Sequence, residues 1–90
     1  MANNNVILQW NCCGLLDKRV DIELLIANYS PAVLCLQETL LPKEIERKKE
    51  NELDSKYKFR GYKAYFKCIN SGRNGVAIYV KNNILHHPII

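Results

Sequence analysis

Two polar side chains stand at positions where chemistry is easier to explain than packing. In LCLQETLLP (residues 34–42), a run that reads as a buried strand ends on Gln37 and Glu38 before apolar Leu40 and Leu41. An ionised carboxylate buried without a partner costs roughly several kcal/mol, so Glu38 needs water, a cation or a chemical role. Upstream, VILQW (residues 6–10) is followed by Asn11, an amide with both acceptor and donor atoms. If the two strands are parallel neighbours, Asn11 and Glu38 emerge on one rim, at the carboxyl ends where open α/β sheets bind ligands. Such a rim suits a hard divalent cation, which takes one or two carboxylates plus water and substrate phosphate. The residues alone leave a plainer reading open, in which Glu38 caps a loop or pairs with a lysine at a wet sheet edge.

The elements that must position this pair follow from local pattern. The 6–10 segment is β-branched and aromatic, and it stops at Asn11 and Gly14. Residues 17–29, DKRVDIELLIANY, predict a helix with Val20, Leu24 and Ala27 on its apolar face, widened by Leu25 and Ile26. Asp17 is its expected cap, and Ser30-Pro31 its stop signal. Residues 32–37 form the second strand, which gives a right-handed βαβ unit with two parallel strands. The charged stretch 43–56 holds only sparse apolar positions, Ile45 and Leu53, and predicts a solvated helix or irregular excursion. Residues 61–69 and 76–81 read as strands joined by NSGRNG, a hairpin loop in which Asn74-Gly75 suits positive φ. Tyr62 and Tyr79 fall in strand patterns where aromatics pack, whereas Arg73 at the hairpin tip is the exposed candidate for touching an anionic ligand.

The totals narrow the class. Ninety residues, 48% hydrophobic and 24% charged, suit one domain at most, with no linker, repeat or second domain, and exclude wholesale disorder. Thirteen Lys and Arg against nine Asp and Glu give +4, compatible with a polyanionic partner but too mild to identify one. Cys12, Cys13, Cys35 and Cys68 contain no C-x-x-C pair, and His86-His87 lie at the far end, so no zinc motif is present. Adjacent Cys12-Cys13, and Cys35 inside an apolar run, speak against a disulfide framework and for reduced thiols in the cytoplasm or nucleus. The first residues lack a signal-peptide pattern, and no apolar run approaches membrane-spanning length. The tail ILHHPII ends on an apolar run, which reads as the front part of something longer.

The strings LQWNCCGL, PAVLCLQETLL and NGVAIYVK, in that order, resemble the endonuclease/exonuclease/phosphatase superfamily. Within it they are most like the N-terminal endonuclease domain of a non-LTR, jockey-type retrotransposon polyprotein. Three ordered blocks frame nearly the whole chain, while residues 43–58 carry no family signature. The resemblance implies the N-terminal part, residues 1–90, of an incomplete two-sheet α/β sandwich of the DNase I-like kind. It also implies hydrolysis of DNA phosphodiester bonds with Mg2+ or Mn2+. Carried over, Glu38 is the metal-binding glutamate and Asn11 the asparagine near metal and scissile phosphate. Gln37 is the glutamine beside the ligand, touching either its surroundings or the substrate.

Two positions depart from the family pattern. Cys13 sits where relatives often carry arginine, losing a phosphate contact, and Asn74 sits where a glycine is usual. An Asp-x-Asn pair, a further Asp and an Asp-His near the family's C-terminus have no counterpart here, and His86-His87 lie in the wrong region to replace them. The expectation is therefore an inactive piece of a DNA-nicking enzyme. In the parent, its partners would be DNA, the rest of the endonuclease domain and a reverse transcriptase, with no membrane. A noncatalytic remnant that binds nucleic acid weakly, or a phosphatase of the same fold, remain the alternatives.

Overall fold

The computed structural model describes residues 6–68 and 75–84. Four strands, β1 (Ile7–Asn11), β2 (Val33–Gln37), β3 (Tyr62–Lys67) and β4 (Val76–Lys81), form one sheet in the order β1-β2-β4-β3. β1 and β2 are parallel, paired from Ile7↔Val33 to Asn11↔Gln37, and the crossover between them carries the helix α1 (Arg19–Tyr29). β4 runs antiparallel to both β2 and β3. The hairpin therefore folds back so that its second strand inserts beside β2. The expected turn residues Asn74 and Arg73, with His86 and His87, lie outside the described residues; Gly75 has the positive φ anticipated for that turn, +128°.

Strand alternation sorts the side chains onto two faces. Leu34, Leu36, Ala77 and Tyr79 from the central strands are fully buried on one face, joined there by Leu8, Trp10, Ala64 and Phe66 from the edge strands. Ile22 of α1, with Leu15, Ile45 and Phe59, closes over them. Tyr79 is the centre of this layer: its ring meets Phe59 edge-on at 4.9 Å and Phe66 at 6.0 Å, and its hydroxyl donates to the Tyr57 carbonyl at 2.7 Å. Tyr62 also packs inward, donating its hydroxyl to the Pro31 carbonyl. On the opposite face Ile7, Val76 and Ile78 remain exposed.

The helix differs from expectation in two respects. Its buried side is Ile22 with half-buried Leu25 and Ile26, whereas Val20, Leu24 and Ala27 face away from the sheet. Positions 22, 25 and 26 follow the i, i+3, i+4 rule, so Leu25 and Ile26, which widened the expected face, turn inward with Ile22, while the centre of that face is exposed. Asp17 is not a cap either. Residues Leu16–Lys18 form a 3-10 turn that runs directly into α1, and no side chain caps the junction. The helix ends at Ser30, which adopts the left-handed conformation (φ 42°) and donates its amide to Ile26 at 2.8 Å before Pro31.

The charged excursion is irregular rather than α-helical. It makes three short 3-10 turns (Lys43–Arg47, Glu50–Glu52, Ser55–Tyr57), separated where Lys48, Lys49 and Leu53 become extended. Ile45 anchors it in the core, and Arg19 reaches it from α1, donating to the Lys56 carbonyl at 2.9 Å and stacking 4.4 Å above the Phe59 ring. Among the described residues, no helix is long and apolar enough to cross a membrane.

Candidate active site

The parallel register decides the site. Because Asn11 pairs with Gln37, the residue after each strand leaves the sheet at the same level, and the two connections run side by side. Their backbones stay linked beyond the sheet: Cys12 N–H donates to Gln37, Gly14 to Glu38 and Leu15 to Thr39, at 3.0, 2.8 and 3.0 Å. Both segments turn sharply. Cys13 and Gly14 have φ of 51° and 109°, and Glu38 and Leu40 have φ of 54° and 57°. Non-glycine residues enter this left-handed region at a cost of about 1–3 kcal/mol each, and such residues cluster at binding and catalytic sites. Here the bonds between the two turns supply the constraint.

The consequence is a compact polar cluster. Asn11 Nδ2 donates to Glu38 Oε2 at 2.9 Å. The Cys13 thiol lies 3.4 Å from Glu38 Oε1 and 3.5 Å from Asn11 Oδ1. One S–H carries one proton, so these two oxygens are alternative acceptors for it. The Asn11 amide, and secondarily the Cys13 thiol, hold the Glu38 carboxyl below its ordinary pKa. The same carboxylate pushes the Cys13 thiol upward. At neutral pH the cluster is thus a carboxylate flanked by an amide and a thiol. Lys18 stands behind it, donating to the Cys12 carbonyl at 3.0 Å.

Of the residues singled out from sequence, Asn11 and Glu38 are brought into direct contact. Gln37 ends β2 half-buried between Asn11 and Val76 on the open sheet face, and Arg73 lies outside the described residues. Cys13 entered the sequence reading only as a departure from pattern, yet its sulfur touches both site residues. The signal was its place two residues after Asn11 and just before a glycine, where a tight turn can bring the side chain back. Thr39 was missed altogether. It is fully buried, and among the described residues its hydroxyl has no hydrogen-bond partner where it packs against Gly75, whose carbonyl accepts the Thr39 amide at 3.3 Å. Thr39 and Gly75 thereby fix the residue that follows Glu38.

Residues 8–90 match the model of the Endonuclease/Exonuclease/phosphatase family. The chain belongs to that family. No curated protein sequence matches it. Its fold is similar to that of solved AP endonucleases. The Xenopus laevis APE2 catalytic domain is 28% identical with a TM-score of 0.59, over 83% of this chain and 23% of the other. An AP endonuclease from Archaeoglobus fulgidus is 27% identical with a TM-score of 0.61, over 82% and 26%. The AP endonuclease LMAP from Leishmania major is 30% identical with a TM-score of 0.60, over 83% and 23%. The family member described here therefore has the DNase I-like α/β architecture of these enzymes, and it spans about a quarter of their length.

The donor set fits a divalent cation. Glu38 supplies an ionised carboxylate open to solvent, and Asn11 an amide oxygen on the same rim. Among the described residues, no three His, Cys, Asp or Glu side chains gather at one point. A cation here would draw its remaining ligands from water and substrate phosphate, as Mg2+ commonly does.

Proposed function

We propose that this chain is the front part of a divalent-metal-dependent endonuclease that hydrolyses phosphodiester bonds in DNA. The observation that carries the reading is the 2.9 Å contact between Asn11 and Glu38 at the carboxyl ends of two parallel strands, in a chain of this family. Glu38 and Asn11 would hold Mg2+ or Mn2+, whose bound charge lowers the cost of negative charge growing on the phosphate. Asn11 orients the Glu38 carboxylate and holds its pKa down, and Gln37, at the end of β2, would touch substrate. The AP endonucleases of similar fold support DNA over phospholipid or nucleotide substrates. The strings around Asn11 and Glu38 support a retroelement as the parent, with a reverse transcriptase in the same polyprotein. Four free cysteines suit a reducing compartment, cytoplasm or nucleus.

A second reading, a noncatalytic remnant that binds nucleic acid weakly, is favoured by one observation. The described rim holds a single carboxylate and no general base among its contacts. Plasmid nicking separates the two. The 90-residue chain should leave supercoiled DNA intact in Mg2+ or Mn2+. A reading frame that continues past Ile90 should nick it, and Glu38→Ala should lower that rate roughly a hundredfold or more. A longer protein that does not nick, or one indifferent to Glu38→Ala, overturns the endonuclease reading. Nicking by the 90-residue chain itself would overturn the assignment of its remaining catalytic parts to sequence outside it.

A further inference from the structure

The carboxylate and the amide of this site are hard donors, but the third side chain is not. The Cys13 sulfur lies on the solvent side of the two turns, 3.4 Å from Glu38 Oε1 and 3.5 Å from Asn11 Oδ1. These spacings can be compared with those of a four-coordinate ion. With metal–sulfur and metal–oxygen distances of about 2.3 and 2.1 Å, a tetrahedral arrangement sets its sulfur and oxygen ligands roughly 3.6 Å apart. The atoms already stand at nearly that separation, on backbone segments locked to each other by the Gly14–Glu38 and Leu15–Thr39 bonds. Soft thiolate ligands select thiophilic ions, whereas Mg2+ prefers oxygen alone and an octahedral shell.

We propose that Cys13, Glu38 and Asn11 form a mixed sulfur–oxygen site that binds thiophilic divalent cations, of the Zn2+ and Cd2+ class, more tightly than Mg2+. The proposal rests on the reading that this rim holds a cation, and it adds the sulfur ligand and the metal class. As the sulfur–metal bond forms, the thiol proton passes to solvent, and the cation takes its place between Sγ and Oε1. The remaining positions stay open to water or phosphate. Lys18 keeps its positive charge nearby, hydrogen-bonded to the Cys12 carbonyl, a repulsion that the two anionic ligands of the bound state, thiolate and carboxylate, outweigh. The other thiols are placed differently: Cys12 and Cys68 are buried, and Cys35 lies within β2.

The test uses the 90-residue chain, titrated with CdCl2 while the ultraviolet sulfur-to-cadmium charge-transfer band is followed. Paramagnetic broadening by MnCl2 of the amide signals around Asn11 and Glu38 is measured in parallel. Cys13→Ser should remove the cadmium band and weaken Cd2+ at least about a hundredfold, the upper end of what loss of a metal's supporting group costs. It should leave the Mn2+ broadening in place, and Cys35→Ser should leave the cadmium band unchanged. Mn2+ broadening without a cadmium band, or a band indifferent to Cys13→Ser, overturns the sulfur ligand while sparing the cation reading. Absence of both signals overturns the two together.

Discussion

Replacing Gly75 with alanine should loosen the very turn that carries Glu38. A Cβ at that position would come within 2.8 Å of Thr39 Oγ1 and 3.4 Å of the Lys67 carbonyl oxygen, and Gly75 has φ +128°. Two costs add. The backbone conformation is one that side chains rarely adopt, at about 1–3 kcal/mol. The clash forces a buried neighbour to move, at about 1–3 kcal/mol more. Together they come to about 2–6 kcal/mol, a large share of the stability of about 5–13 kcal/mol expected for 90 residues. Amide hydrogen exchange reads this residue by residue. The reporters are the Thr39, Gly14 and Leu15 amides, which donate to Gly75, Glu38 and Thr39. At about 1.4 kcal/mol per factor of ten, 3 kcal/mol speeds their exchange by roughly a hundredfold. In a Thr39→Ala background the clash is gone and only the backbone cost remains, so the same substitution should cost about 1–3 kcal/mol less. Thr39→Ala alone should be nearly neutral, because it removes a buried hydroxyl that has no partner among the described residues, along with one methyl group. Exchange unchanged in Gly75→Ala, or the same increase with and without Thr39, would refute this account of the turn.

Three further outcomes are expected. Asn11→Ala removes the main cause of the lowered Glu38 pKa, so the carboxyl titration followed by NMR should move up toward the ordinary glutamate value; an unmoved midpoint would show that the amide does not hold the charge. The Tyr79 phenol is raised by burial. Its folded pKa exceeds the unfolded value of about 10, so its contribution is intact below pH ~10 and is lost as pH rises beyond it. Urea midpoints followed by Trp10 fluorescence should fall above pH ~10, and Tyr79→Phe should fall less steeply. The open sheet face, with Ile7, Val76 and Ile78 exposed, should bind a hydrophobic dye. Ile78→Lys should reduce that signal, and a chain that never binds dye would mean the face is covered in solution.

The sequence by itself determined the local elements. β-branched and aromatic runs gave four strands, and Ser30-Pro31 ended the helix, because each of these signals acts over a few residues. It also placed Asn11 and Glu38 at two strand ends, and a βαβ crossover of this length leaves those strands parallel. The tertiary structure decided what depends on partners far apart in sequence. Nothing local says that β4 inserts beside β2, leaving β3 at the edge. The helix offered apolar residues on more than one side, and only packing into the core that holds Leu34 and Tyr79 selects Ile22 over Val20 and Leu24. Cys13 joins the site, and Thr39 packs on Gly75, because backbone bonds between residues about 25 and 36 positions apart hold left-handed turns that sequence spacing does not encode.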